Sequence, residues 1–167
     1  MNRLKYHSHV FVRDPVSYDH AATSVIDGLQ LSHDLSFLDF KRVSDCAERR
    51  SDSDKNANTY CFIIRNYKYG SNGNACLEPM LEFADQLIAE QNAVVNWVSF
   101  QEDYDAPAIN QVQEAGHSVW TWDPETMSFE DAYQIVADAS CVVTARMHGT
   151  YVAGMLNVPC GSIGVHP

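Results

Sequence analysis

The sequence predicts an α/β fold: a Rossmann-like three-layer domain with a parallel sheet and helices on both faces. Two observations carry this expectation. Short, largely apolar runs read as buried strands, and segments with apolar residues at helical spacing alternate with them. A third observation is size, since 167 residues with 46% hydrophobic content suffice for one real core. The reading is a single domain over residues 1–167.

Each element follows from its local pattern. Residues 9–12 are a short apolar strand, and residues 14–26 carry Val16, Ala21, Ala22 and Val25 at roughly helical spacing before Gly28 stops them. Leu29 to Leu31 is a further short strand. Residues 41–58 (KRVSDCAERRSDSDKNAN) are polar and nearly free of large apolar groups, so they read as a surface loop or linker. Residues 59–64 form an apolar run, the glycine-rich segment 67–74 follows, and Leu77, Met80, Leu81, Ala84, Leu87 and Ile88 then repeat at i, i+3, i+4, i+7 spacing. The same order recurs three times. Strands at 93–100, 117–122 and 141–145 precede helices at 106–115, 129–139 and 149–156, and residues 160–163 close the series.

Charge and composition exclude several function classes. With 11 Lys+Arg against 22 Asp+Glu the net charge is −11, which repels phosphate backbones, so nucleic acid is not an expected partner. No run approaches the ~20 apolar residues that span a bilayer, and no signal-peptide pattern opens the chain. Five cysteines (Cys46, Cys61, Cys76, Cys141, Cys160) include no C-x-x-C pair, and a reduced, cytoplasmic protein is the simplest expectation. His7 and His9 have metal-like spacing but no further ligands near them in sequence, so no metal is expected.

In a parallel α/β sheet the ligand crevice lies outside the carboxyl ends of the strands. The residues just after the strands are Arg65 with its Gly/Asn-rich loop, then Gln101-Glu102-Asp103, Asp123, and Arg146-Met147-His148-Gly149. The last turn carries the most information. Arg146 and His148 reach the rim, Gly149 lets the backbone turn tightly, and the following helix offers N–H groups and a positive dipole end, a combination suited to an anion. An equally open reading makes Arg146 the partner of an acidic loop and His148 a helix cap. Arg65 could grip a phosphate or carboxylate while the backbone of residues 67–74, Asn74 included, cradles it. That loop lacks the Lys-Ser/Thr of a P-loop and the G-x-G-x-x-G spacing, which argues against an ATPase or a dinucleotide enzyme. Glu102, Asp103 and Asp105 read as a solvated acidic loop, and Trp97, Trp120 and Trp122 as strand packing.

The stretch Cys141-Val142-Val143-Thr144-Ala145-Arg146-Met147-His148-Gly149 through Val158-Pro159 resembles the signature of the polysaccharide pyruvyl transferase family. Val12-Arg13-Asp14-Pro15-Val16-Ser17 and Asp34-Leu35-Ser36-Phe37-Leu38 are similar to two further motifs of that family, in family order. The resemblance implies the carboxyl-terminal lobe of a two-lobed GT-B fold, with a possible amino-terminal lobe missing. It also implies transfer of pyruvate from phosphoenolpyruvate, a donor substrate rather than a cofactor, onto a sugar or lipid-linked saccharide as a ketal in cell-surface polysaccharides. By motif, Arg146 and His148 would contact the donor and Arg65 would be the second donor-binding arginine, with Gly149 and Asn74 lining the site and His148 moving the proton. Two other readings stand beside it: a sugar-nucleotide glycosyltransferase lobe, and a non-catalytic remnant domain.

Overall fold

In residues 59–64 every side chain except Tyr60 is buried, and a strand covered on both faces belongs in the interior of a sheet. The computed structural model, which describes residues 9–23, 28–32, 40–49, 58–66 and 76–163, puts it there. Strand β3 (Thr59–Ile63) pairs with β4 (Val94–Ser99) on one side and β6 (Cys141–Thr144) on the other. With β5 (Val119–Thr121) and β7 (Cys160–Ser162) at the edges, the sheet runs β5-β4-β3-β6-β7, parallel throughout. The α/β class read from the sequence is therefore the class observed.

The two-residue period of a strand sorts its side chains between two cores. Phe62 and Ile64 enter one, with Leu77, Met80, Ala84 and Leu87 of α3 (Leu77–Gln91) and Ala108, Ile109 and Val112 of α4 (Glu102–Glu114). Phe62 and Trp97 are both fully buried there, with ring centroids 4.9 Å apart and planes tilted by 43°. Cys61 and Ile63 enter the other core, with Val136 and Ala137 of α5 (Phe129–Ala137), Ala153 of α6 (Met147–Met155) and Leu156 just after that helix. Helices thus cover both faces. Burial pushes the Cys61 thiol up to about 12, so this cysteine packs as a small apolar group and is no nucleophile.

The polar segment 41–58 departs from its expected loop character. Its first part is helix α2 (Phe40–Arg49), with Val43 and Cys46 fully buried in the same core as Val136. Val43, Cys46 and Ala47 stand at i, i+3, i+4, a stripe so narrow between charged residues that composition hid it. An ion pair between Arg42 Nε and Glu130, at 3.6 Å, adds a link to α5. Residues 50–57 lie outside the described residues. Helices α4 and α6 also begin earlier than expected, at Glu102 and Met147, because an acidic first turn and a two-residue turn after a strand already complete their starts.

Where the sequence reading has one domain, the chain divides into two compact units, Met1–Asp39 and Phe40–Pro167. The first contains a small βαβ element: β1 (Val10–Val12), α1 (Pro15–Ala22) and β2 (Leu29–Leu31), the strands pairing parallel with each other. Each unit has its own sheet, which is the physical basis of the division. Asp14 starts α1. One carboxylate oxygen accepts from the Ser17 N–H at 2.8 Å and the other from the Ser17 hydroxyl at 2.7 Å, with Pro15 opening the first turn. The Arg-Asp-x-x-Ser spacing is thereby a helix cap. Those bonds hold the Asp14 carboxyl below the usual carboxylate range. The Asp34–Leu38 motif lies outside the described residues. Among the described residues no helix is long and apolar enough to cross a membrane.

Helix α5 shows how acid should act on the second unit. Ser128 and Asp131 form a capping box in which the Asp131 carboxylate accepts from both the backbone N–H and the hydroxyl of Ser128, at 2.8 Å each. Those bonds, backbone first, depress the Asp131 pKa. A carboxyl with a depressed folded-state pKa stabilises above its unfolded value and loses that contribution as pH falls through the folded one. Thermal midpoints of wild type and Asp131→Ala should therefore differ at about pH 5 and converge toward about pH 2. A gap that stays constant across that window would show that the carboxylate form is not what caps the helix.

Candidate functional site

Numbered by position along the winding, the five strands follow the order 3-2-1-4-5, with the reversal between β3 and β6. The chain leaves β3 and travels through α3, β4, α4 and β5 to one side, then crosses over and continues through β6, α6 and β7 on the other. In open α/β sheets wound this way the ligand crevice lies at the switch point, here outside the carboxyl ends of β3 and β6. Arg65 follows one of these strands and Arg146 the other.

The two strand ends are tied by backbone and side chain together. Ile63 aligns with Thr144, and the Ala145 N–H donates to the Ile63 carbonyl at 3.0 Å. Arg146, the N-cap residue of α6, has extended backbone (φ −117°, ψ 132°), and its side chain turns across the switch point. Its Nε donates to the Ile64 carbonyl at 2.9 Å and its Nη1 to Gln101 Oε1 at 3.4 Å, while Nη2 makes an ion pair with Asp105. The Arg146 side chain retains 14% exposure, whereas Asp105 has none.

Asp105 is the residue that sequence reasoning misplaced. It was expected in a solvated loop with Glu102 and Asp103, yet it lies on the first turns of α4, turned inward. A buried carboxylate is tolerated only when paired and hydrogen-bonded. Here Oδ1 accepts from the Asn66 backbone N–H at 3.0 Å, and Oδ2 accepts from the Ser99 hydroxyl at 2.9 Å and from Arg146. The signal that could have found it is helical phase: Asp105 stands at i, i+3, i+4 and i+7 with Ala108, Ile109 and Val112, all buried, whereas Asp103 lies on the opposite side of the helix. Asn66 was also missed as a member, whereas Gln101 stands among the strand-end residues that the sequence pointed to. Asn66 is buried, its side-chain amide donating to the Tyr104 carbonyl at 3.0 Å.

The remaining candidates fall out as follows. Arg65 is half-buried between Ile64 and Asn66, the two residues bonded to Arg146 and Asp105, so the backbone brings both arginine-bearing segments together. His148 is exposed on the first turn of α6, with its ring edge-on to Tyr151 at a centroid distance of 5.9 Å. Asn74 lies outside the described residues. Gly149 has a different reason from the expected tight turn: it sits within α6 without positive φ, buried against the end of β6. A Cβ there would stand 2.3 Å from Thr144 Oγ1 and 3.0 Å from a methyl of Ile63. Thr144 cannot simply yield, because its hydroxyl accepts from the Arg146 N–H and contacts the Arg146 carbonyl, both at 3.0 Å. Among the described residues, no group of three or more His, Cys, Asp or Glu could hold a metal ion.

The family model for polysaccharide pyruvyl transferase matches residues 2–167. The chain belongs to the polysaccharide pyruvyl transferase family. Among solved structures the fold is similar to that of a UDP-GlcNAc 2-epimerase from Methanocaldococcus jannaschii, solved in complex with UDP-GlcNAc and UDP. The TM-score is 0.61 at 11% sequence identity, over 93% of this chain and 45% of that one. That likeness is one of fold, and it agrees with the GT-B-like architecture expected from the sequence. The chain spans less than half the length of this neighbour. No curated protein matches the chain significantly.

The close approach at Gly149 makes a direct prediction. Gly149→Ala should lower stability by about 1–3 kcal/mol, the usual cost of forcing a methyl into a filled site. Chemical denaturation would measure it. Equal or greater stability of the variant would mean that α6 sits farther from Thr144 than described.

Proposed function

We propose that the chain is the donor-binding lobe of a polysaccharide pyruvyl transferase that takes phosphoenolpyruvate as donor. The observation that carries this is the placement of Arg146 and the Arg65 segment on either side of the switch point, in a chain of this family. Phosphoenolpyruvate carries a phosphate and a carboxylate, and arginine forks match both. Three of the five guanidinium N–H donors of Arg146 are committed to Ile64, Gln101 and Asp105, and we assign the remaining two to the donor. The α6 N-terminus lacks a side-chain cap, and its N–H groups would face the same anion.

In the reaction, the methylene carbon of the donor takes a proton, its C2 becomes oxocarbenium-like and bonds two sugar hydroxyl oxygens, and the C2–O bond to phosphate breaks. The two hydroxyl protons leave, so one proton enters the new methyl group and the other departs with phosphate. His148, on the same rim, is assigned the proton transfer. Arg146, Arg65 and the helix terminus stabilise charge on the departing phosphate without reorganisation. The acceptor, a sugar or lipid-linked saccharide for a cell-surface polymer, we assign to a further lobe, since the chain spans 45% of its structural neighbour.

A second reading, a sugar-nucleotide-binding lobe, is favoured by the UDP and UDP-GlcNAc in that neighbour. Against it, no Asp or Glu occurs from Arg146 to Pro167 to receive a ribose hydroxyl. Titration calorimetry decides between them: the chain should bind phosphoenolpyruvate and not UDP. UDP binding alone would overturn the pyruvyl-donor reading, and binding of neither would leave a non-catalytic domain. In the complete enzyme, His148→Ala should lower turnover by about 10²–10⁴-fold while leaving the thermal midpoint unchanged, because the side chain is exposed. Retained turnover in that variant would remove the proton-transfer role.

A further inference from the structure

The buried carboxylate of Asp105 joins three segments that the winding of the sheet brings to one place. Its Oδ1 holds the Asn66 N–H, one residue beyond Arg65. Its Oδ2 holds the Ser99 hydroxyl at the end of β4 and the guanidinium of Arg146 after β6. The carboxylate has no exposure and the guanidinium keeps a little, so ligand reaching the crevice meets Arg146 and not Asp105.

From this we infer that Asp105 is a positioning residue for the anionic donor. It acts through Arg146. The inference rests on the donor reading above. Its physical content is preorganisation. An arginine has several rotatable bonds, and an unrestrained side chain would lose that freedom on gripping a ligand. Held at Nε by the Ile64 carbonyl and at Nη2 by Asp105, the fork of Arg146 is set before the donor arrives. The pairing also explains how an arginine stays largely buried at a strand end, because its charge is balanced from inside the protein. A lysine could not replace it, since an ammonium cannot reach two acceptors in a planar array. Asn66 and Ser99 complete the arrangement by satisfying the carboxylate from two other strand ends, so that Asp105 cannot swing outward and compete with the donor for Arg146.

The test is a double-mutant cycle read as affinity for phosphoenolpyruvate, using wild-type chain, Asp105→Asn, Arg146→Lys and the double variant. Calorimetry would be run at a temperature where far-ultraviolet circular dichroism shows each to be folded. Asp105→Asn is expected to weaken binding by tenfold or more, toward the ~10²-fold that small misplacements cost. The double variant should be no weaker than Arg146→Lys alone, because Asp105 acts only through that side chain. A purely structural role would move the thermal midpoint but not the affinity of the folded variant. Unchanged affinity in Asp105→Asn, or losses that multiply in the double variant, overturns the inference while the donor reading stands. Failure of the wild-type chain to bind phosphoenolpyruvate overturns the donor reading and this inference with it. Should Asp105→Asn not fold, Ser99→Ala keeps both charges and removes one support of the carboxylate. A severalfold loss of affinity is then expected, and affinity equal to wild type overturns the inference.

Discussion

The structure of the larger unit depends on one constraint: β3 is buried on both faces and hydrogen-bonded on both edges. Phe62 and Ile64 must be covered from one side and Cys61 and Ile63 from the other, so helices are required on both faces. Backbone N–H and C=O groups on each edge must also be paired, and β4 and β6 supply the partners. Right-handed crossovers then oblige the chain to wind away from β3 in one direction and return in the other. The crevice between the ends of β3 and β6 is a geometric by-product of covering this strand. Its location needs no functional residue at all.

Charge is handled differently at that crevice than elsewhere. Elsewhere carboxylates are spent on helix starts, as at Asp14 and Asp131, or on a turn, as at Asp123, where hydroxyl and backbone donors hold the carboxyls below their usual range. Asp105 is buried instead, and it has three donors, one of them an arginine. A cation in an acidic protein is easily neutralised at the surface by whichever carboxylate is nearest. Binding Arg146 to a specific internal carboxylate removes that promiscuity and gives the guanidinium one geometry.

Legibility in the sequence followed the strength of local pattern. Strands β3, β4 and β6 and helix α3 have dense apolar runs or clear helical spacing, and each lies where expected within a few residues. Helix α2 did not show, because Val43, Cys46 and Ala47 form a narrow stripe within a charged segment and gain their burial from elements distant in sequence, α5 and α6 among them. Gly149 was visible as important, but for the wrong reason. A turn requirement is local and can be guessed from neighbours, whereas a close approach to Thr144 and Ile63 depends on how a helix sits on a sheet.

The residues themselves determined the fold class, the alternation of strand and helix, and the strand-end positions of Arg65, Arg146 and His148, because periodicity and turn chemistry act within a dozen residues. The division into two units, the strand order and the partner of Arg146 were decided only in three dimensions. Asp105 and Arg146 are separated by 41 positions, and Asn66 and Asp105 by 39. No local rule links them. A buried carboxylate finds its partners by the register of a parallel sheet and the phase of a helix, and both are set by long-range burial.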